Sequence, residues 1–462
     1  MAHAGLVQPM GNPRREKVAV SLRTRVDEHD STVVPSLLER HRRVLPHWVD
    51  QMHEEPISLV SGDGAMVTDA DGREYLDFFG GITTIISGHN LAPMVEAVRD
   101  QIGRIAHSST LYLIEPMVEL AELLVSMTPD RHEKVFFVNS GSEAVDTALM
   151  LATNHRGSNQ VISMRQGYHG RSFGAVAVTG QRGYSASSLS PLDVQFASYG
   201  GCFHCPFSLS YPSCDVACAT DLRNVIEAQT AGPIAALIVE PIQGVNGFVT
   251  PPPEFLPTIR SICDEYDILL VSDEVQTGFG RTGQAMWGIE AAGVEADLMV
   301  MAKGLGNGLP IAAVVGPADV MDAMGAGSIS TFGGNHLVTA GALANLRYLI
   351  DNDLMTNARV QGDTMASALT ELAGRHPEII GEVRGVGLMQ AVEFADPDRT
   401  PRPDLAAAVQ EACKAAGLLI GKGGVHWNVS RLAPALIVDD AQIREAMEIL
   451  AAAVATVAGS TR

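Results

Sequence analysis

Asp297-Leu-Met-Val-Met-Ala-Lys303 is a short apolar run closed by a lysine, and Gly304-Leu-Gly-Asn-Gly-Leu-Pro310 follows it. Four other runs share its pattern: Val135-Phe-Phe-Val138, Val161-Ile-Ser-Met164, Ile234-Ala-Ala-Leu-Ile-Val239 and Ile268-Leu-Leu-Val271. Segments with helical spacing separate them. Strands without polar alternation are covered on both faces, as in a parallel sheet between helices. The expectation is therefore an α/β architecture. Ligands on such sheets sit beyond the carboxyl ends of the strands. Asn139, Glu240, Asp273 and Lys303 all fall at such ends.

Outside these runs, Met66 to Phe79 reads as a hairpin, because two alternating stretches flank the turn signal Asp71-Gly72. Val95 to Ile105 and Pro116 to Met127 have helical spacing. A long helix is expected from His336 to about Ile350, then strands from Glu382 to Phe394, then helices at Asp404 to Ala416 and Asp439 to Val457. The expected division is a partly disordered tail at residues 1–30, a small-domain segment at 31–80, a large domain at 81–335 with a mostly parallel sheet, and a smaller α+β domain completed by 336–462. The length, 462 residues, suits such a multi-domain chain.

Hydrophobic residues make up 46% of the chain and charged residues 18%, as in an ordinary globular enzyme. The formal net charge of -21 argues against nucleic acid or an anionic membrane surface as a partner, since both need a basic face. No stretch approaches the ~20 apolar residues that span a bilayer. Met1 to Asp30 is mixed and charged with no apolar core, so a cytoplasmic location is expected.

Chemistry concentrates at two strand ends. A lysine between a buried strand and a glycine-rich loop is poorly solvated. Desolvation disfavours the ammonium, lowers its pKa and leaves a nucleophilic amine. Ile268-Leu-Leu-Val-Ser-Asp273-Glu274 ends in carboxylates. Such a carboxylate can hold a pyridinium nitrogen while Lys303 forms a Schiff base, which is what proteins supply to pyridoxal 5'-phosphate (PLP). Taken singly, Lys303 reads more readily as a strand-end lysine reaching for water, and only the accompanying motifs reverse that. Asn139-Ser-Gly141-Ser142-Glu143 opens a helix whose free N–H groups can hold a phosphate, or Ser142 can simply cap it. Tyr168 after the second strand can stack on a cofactor ring or fill the core. Thr331-Phe-Gly-Gly-Asn335 fits a phosphate or a plain turn.

In combination these segments carry a resemblance. Asn139-Ser-Gly-Ser-Glu-Ala144, Tyr168-His-Gly170, Glu240-Pro-Ile-Gln-Gly244, Ser272-Asp-Glu-Val-Gln-Thr-Gly-Phe-Gly-Arg281, Met301-Ala-Lys-Gly-Leu-Gly-Asn-Gly-Leu-Pro310 and Thr331 to Asn335 resemble, in order, the signature of class III aminotransferases. The resemblance covers roughly residues 35 to 455. Leu76-Asp-Phe-Phe79 and Glu240 to Gly247 look like the alanine–glyoxylate aminotransferase 2 branch. It implies fold type I and a homodimer with a shared active site. Lys303 would be the Schiff-base lysine and proton shuttle, and Asp273 the partner of the pyridinium nitrogen. Gly141 and Ser142 would hold the phosphate, with Thr331 arriving from the neighbouring subunit. Tyr168 and Val275 would cover the two ring faces, Gln276 would lie near the phenolic oxygen, and Arg431 would bind the substrate carboxylate.

The sequence departs from the family pattern at Leu91-Ala92, His336 and Ala435, where prolines or a second histidine are common. Val245 matters more. In γ-aminobutyrate and ornithine-type members a glutamate stands there and masks the arginine. The implied activity moves an amino group from alanine, β-alanine or a 3-aminoisobutyrate-like donor to pyruvate or glyoxylate. Alternatives are a PLP-dependent phospholyase acting on a phosphorylated amine, which this branch also resembles, and a non-catalytic binding protein. Cys202, Cys205, Cys214 and Cys218, with His204 among them, read as a surface loop rather than a metal site, so no metal is expected.

Overall fold

The computed structural model, which describes residues 35–49, 51–187 and 189–460, gathers all five apolar runs into one seven-stranded sheet. In chain order its strands are Lys134–Val138 (β1), Gln160–Met164 (β2), Asp193–Ala197 (β3), Ala236–Val239 (β4), Leu269–Asp273 (β5), Leu298–Met301 (β6) and Ala312–Gly316 (β7). The spatial order is β1-β7-β6-β5-β4-β2-β3. β7 runs antiparallel to both its neighbours, and the other pairings are parallel.

Burial on both faces explains the unalternated runs. Leu237, Leu270, Met299, Met301 and Val315 point into one core, with Ile259 of the helix Phe255–Glu265 and Leu346 of the helix His336–Asp351. Ile238, Val271, Val300 and Val314 point into the other, against Val145, Ala148 and Ala152 of the helix Gly141–Arg156. β3 and β7 are absent from the sequence expectation. β3 is an edge strand buried fully only at Ala197. β7 is Ala-Ala-Val-Val-Gly directly after the glycine-rich loop, and its small side chains do not stand out.

The expected hairpin forms from Met66–Asp69 and Glu74–Asp77. Leu59–Asp63 extends it, and Leu418–Leu419 adds a parallel strand on its other side. A further sheet joins Ile380–Val386, Met389–Phe394, Val429–Leu432 and Gly421–Gly423 in that order. The expected helices are Ala92–Arg104, Glu115–Ser126, His336–Asp351, Pro403–Ala415 and Asp440–Ser460. One more, Leu354–Arg375, was not anticipated; Asp353 caps it by accepting from the Thr356 N–H.

The described residues up to Met52 and those from His53 onward are separate units. In the first, Ser36 and Glu39 form a reciprocal capping box on the helix Leu37–Val44. The tail expected at residues 1–30 lies outside the described residues. No helix among the described residues is long and apolar enough to cross a membrane.

Candidate active site

β4, β5 and β6 are adjacent and parallel, so their carboxyl ends bring Glu240, Asp273 and Lys303 together. Lys303 has a left-handed backbone, φ 41°, and starts a 3-10 turn. Asn307 anchors the loop behind it. Its Oδ1 accepts from the N–H groups of Ile86 (2.7 Å) and Ser87 (3.0 Å), and its Nδ2 donates to the Gly88 carbonyl. Burial and then the charge of Arg431 push the Lys303 amine down to about 7, against the opposing pull of Asp273 and Glu240.

Asp273 is buried. Its Oδ2 lies 2.7 Å from His169 Nδ1, and its Oδ1 accepts from the Val275 N–H at 3.1 Å. Burial works against protonation of His169, but the hydrogen bond and charge of Asp273 outweigh it and raise its pKa. The other ring nitrogen, Nε2, is buried without a hydrogen-bond partner among the described residues. Glu240 accepts from the N–H of Tyr168 (2.9 Å) and of Gly244 (2.8 Å), and burial pushes its pKa up. His169 and Glu240 were not singled out as site residues by the sequence reading. The available signal was their place, one beside Tyr168 and the other at a strand end.

Ser140, not Ser142, caps the helix Gly141–Arg156, accepting from the Glu143 N–H. That frees the Ser142 hydroxyl, which accepts from the Arg171 N–H at 3.0 Å. Gly170, φ 128°, makes this approach possible: a Cβ there would meet Ser142 Oγ at 2.5 Å. A Cβ on Gly141 would lie 3.4 Å from Val275 Cγ2, so these two residues face each other. The Gln276 amide lies over Gly244, where a Cβ would meet it at 2.4 Å, and accepts from the Thr83 hydroxyl. The Tyr168 ring meets Tyr184 edge-on, and Tyr184 meets Trp427. Thr331 is exposed and makes no hydrogen bond among the described residues.

Arg431 is buried on Val429–Leu432. Its guanidinium donates only to backbone carbonyls: Lys422 (2.9 and 3.1 Å) and Gly244 (3.2 Å). It lies over the rings of Phe79 and Phe248, 5.1 and 5.5 Å from their centroids. No carboxylate pairs with it among the described residues, and burial pushes its pKa down to about 10.

The family model described as aminotransferase class-III matches residues 46–454. The chain is a class III aminotransferase. It is 40% identical over 404 residues to the acetylornithine aminotransferase of Mycolicibacterium smegmatis, covering 87% of this chain and 95% of that one. It is 36% identical to the mitochondrial alanine–glyoxylate aminotransferase 2 homolog 2 of Arabidopsis thaliana, covering 89% and 86%. A PLP-bound amine transaminase from an uncultivated Pseudomonas species superposes with a TM-score of 0.84 at 30% identity, covering 89% and 98%.

The cofactor of this aminotransferase is PLP. The residues present fit it. They include a depressed amine and a buried carboxylate held by a histidine at adjacent strand ends, a helix start with its serine uncommitted as cap, and an aromatic residue whose N–H donates to Glu240. Cys202, Cys205, Cys214 and Cys218 line a separate cavity of about 20 Å³ as free thiols. Among the described residues, no three His, Cys, Asp or Glu side chains are grouped to hold a metal.

Proposed function

We propose that this aminotransferase moves an amino group from alanine, β-alanine or a 3-aminoisobutyrate-like donor to pyruvate or glyoxylate. One observation carries the choice. Arg431 is buried and unneutralised, and position 245 beside it is a valine. A fixed guanidinium suits a carboxylate through its two-pronged donor geometry. The two relatives named above differ in the substrates in their names, and the acceptor follows from Arg431 and Val245. A second carboxylate, as in 2-oxoglutarate, meets no comparable arginine among the residues assigned to the site, and an unpaired charge in a closed site is costly.

In this reading bound PLP supplies an electron sink for bond changes at the substrate carbon. Lys303 would hold the cofactor, and its amine would move a proton at that carbon. Asp273 would offer its negative charge to the ring nitrogen, with His169 fixing the carboxylate's orientation. Gly141 and Ser142 would receive the phosphate, Tyr168 and Val275 would enclose the ring, and Gln276 would serve the phenolic oxygen. Thr331 completes the phosphate site of a second copy, which makes the active form a homodimer. Exposed Leu111, Tyr112, Leu113, Ile329 and Phe332 support that assembly, since such side chains seek cover. The domain division reads as a large domain at 81–335 and a small one from 31–80 with 336–462.

A donor panel against pyruvate, glyoxylate and 2-oxoglutarate, with phosphate release followed in parallel, tests the proposal. Turnover with either small acceptor is expected. A kcat/KM for 2-oxoglutarate above both, or phosphate release without any acceptor, overturns it.

A further inference from the structure

Arg384 lies in register with Arg431. Arg384 pairs with Ala391, and Ala391 pairs with Arg431. Directly paired residues share a sheet face, so the two arginines stand two strands apart, roughly 10 Å, with a methyl group between them. Both reach the same turn, which closes through reciprocal Gln243–Val249 backbone bonds of 3.0 and 3.2 Å. Arg431 donates to the Gly244 carbonyl at 3.2 Å, and Arg384 Nε donates to the Gly247 carbonyl at 2.8 Å. Phe248, directly after Gly247 in the same turn, supplies one of the rings under Arg431.

Packing alone does not hold this turn. Asn246 and Val249 face a cavity of about 230 Å³, which Arg384, Glu393 and His204 also line. Arg384 is itself fixed: Nη1 lies 2.6 Å from the buried Glu393 carboxylate and also pairs with Glu382. Glu393 further receives His204 Nε2 at 2.6 Å and Asn428 Nδ2 at 3.2 Å. Gly247, φ 90°, has no room for a side chain; a Cβ would sit 2.9 Å from Arg384 Nη2.

We propose that Arg384 is a positioning residue for carboxylate recognition: by holding the Gly247 carbonyl it fixes the turn that presents Gly244 and Phe248 to Arg431. This rests on Arg431 binding the substrate carboxylate, as argued above. His204 extends the arrangement, because it ties the cysteine-bearing loop to Glu393 and so to the same turn.

Arg384→Gln and Arg431→Ala, singly and together, test it in the PLP-loaded enzyme. Arg384→Gln should raise KM for pyruvate on the order of tenfold, leaving kcat within about twofold and cofactor absorbance unchanged. In the Arg431→Ala background it should add nothing. An unchanged KM in Arg384→Gln, while Arg431→Ala raises it, overturns the positioning role and leaves the carboxylate reading intact. Independent, multiplying effects overturn it too. An unchanged KM in Arg431→Ala removes both. Because Arg384→Gln leaves Glu393 short of a cation and can fail to fold, Gly247→Ala serves as second probe: it displaces the turn with every charge kept. A folded Gly247→Ala enzyme with wild-type KM for pyruvate also overturns the proposal.

Discussion

Lys303 carries two departures from ordinary lysine behaviour, a left-handed backbone and an amine pushed down to about 7. The second gives a pH prediction. An amine is nucleophilic only when neutral, and an ordinary lysine is neutral only above ~10. In cofactor-free protein, labelling of Lys303 by an amine-selective reagent should rise with pH and level off above about 7. Peptide mass spectrometry reads it; a midpoint near the ordinary value contradicts the desolvated environment. Lys303→Ala should still bind PLP, retain none after borohydride treatment and denaturation, and lose nearly all turnover. Asp273→Asn keeps the shape but loses the charge facing His169 Nδ1 at 2.7 Å. Its kcat should fall on the order of 10²-fold, the scale for one preorganised electrostatic partner. A wild-type rate would remove Asp273 from the chemistry.

At the scale of elements, the loop after β2 and the start of the helix Gly141–Arg156 depend on Gly170. A methyl group there meets Ser142 Oγ at 2.5 Å on a backbone at φ 128°. Gly170→Ala should cost ~1–3 kcal/mol of stability. It should also weaken PLP binding by moving Ser142; thermal melts with and without cofactor separate the two effects. The same elements show what a sequence can disclose. β4, β5 and β6 are legible because each run is apolar throughout and ends in the residue that matters. The cap at Ser140 is not, since two serines flank Gly141 and only backbone geometry selects between them. β7 escapes because Ala-Ala-Val-Val-Gly is small-sided and follows the glycine-rich loop without a boundary. The helix Leu354–Arg375 escapes because its start depends on Asp353 in a left-handed conformation. His204 and Glu393 are 189 residues apart, and no local spacing marks a pair that only the fold creates.

For the whole molecule, the proposed homodimer predicts a definite response at one position. Leu113 is 97% exposed. Leu113→Asp should shift sedimentation toward monomer and lower PLP affinity, because Thr331 would no longer reach a second phosphate site. An active monomer at assay concentration would sink the shared-site reading. The N-terminal hairpin has a consequence of another kind. Glu74–Asp77 finds its parallel neighbour only at Leu418–Leu419, and Arg73 reaches the Ala415 carbonyl 342 residues further along. A ribosome adding ~5–20 residues per second needs roughly 20–70 s to deliver that partner. For that interval the nascent chain carries an open strand edge, and Phe78 and Phe79, which are buried in the finished enzyme, lack their neighbours from the last segment. Recombinant yield should therefore respond to slower synthesis at low temperature and to holdase chaperones more than to anything done to the mature protein.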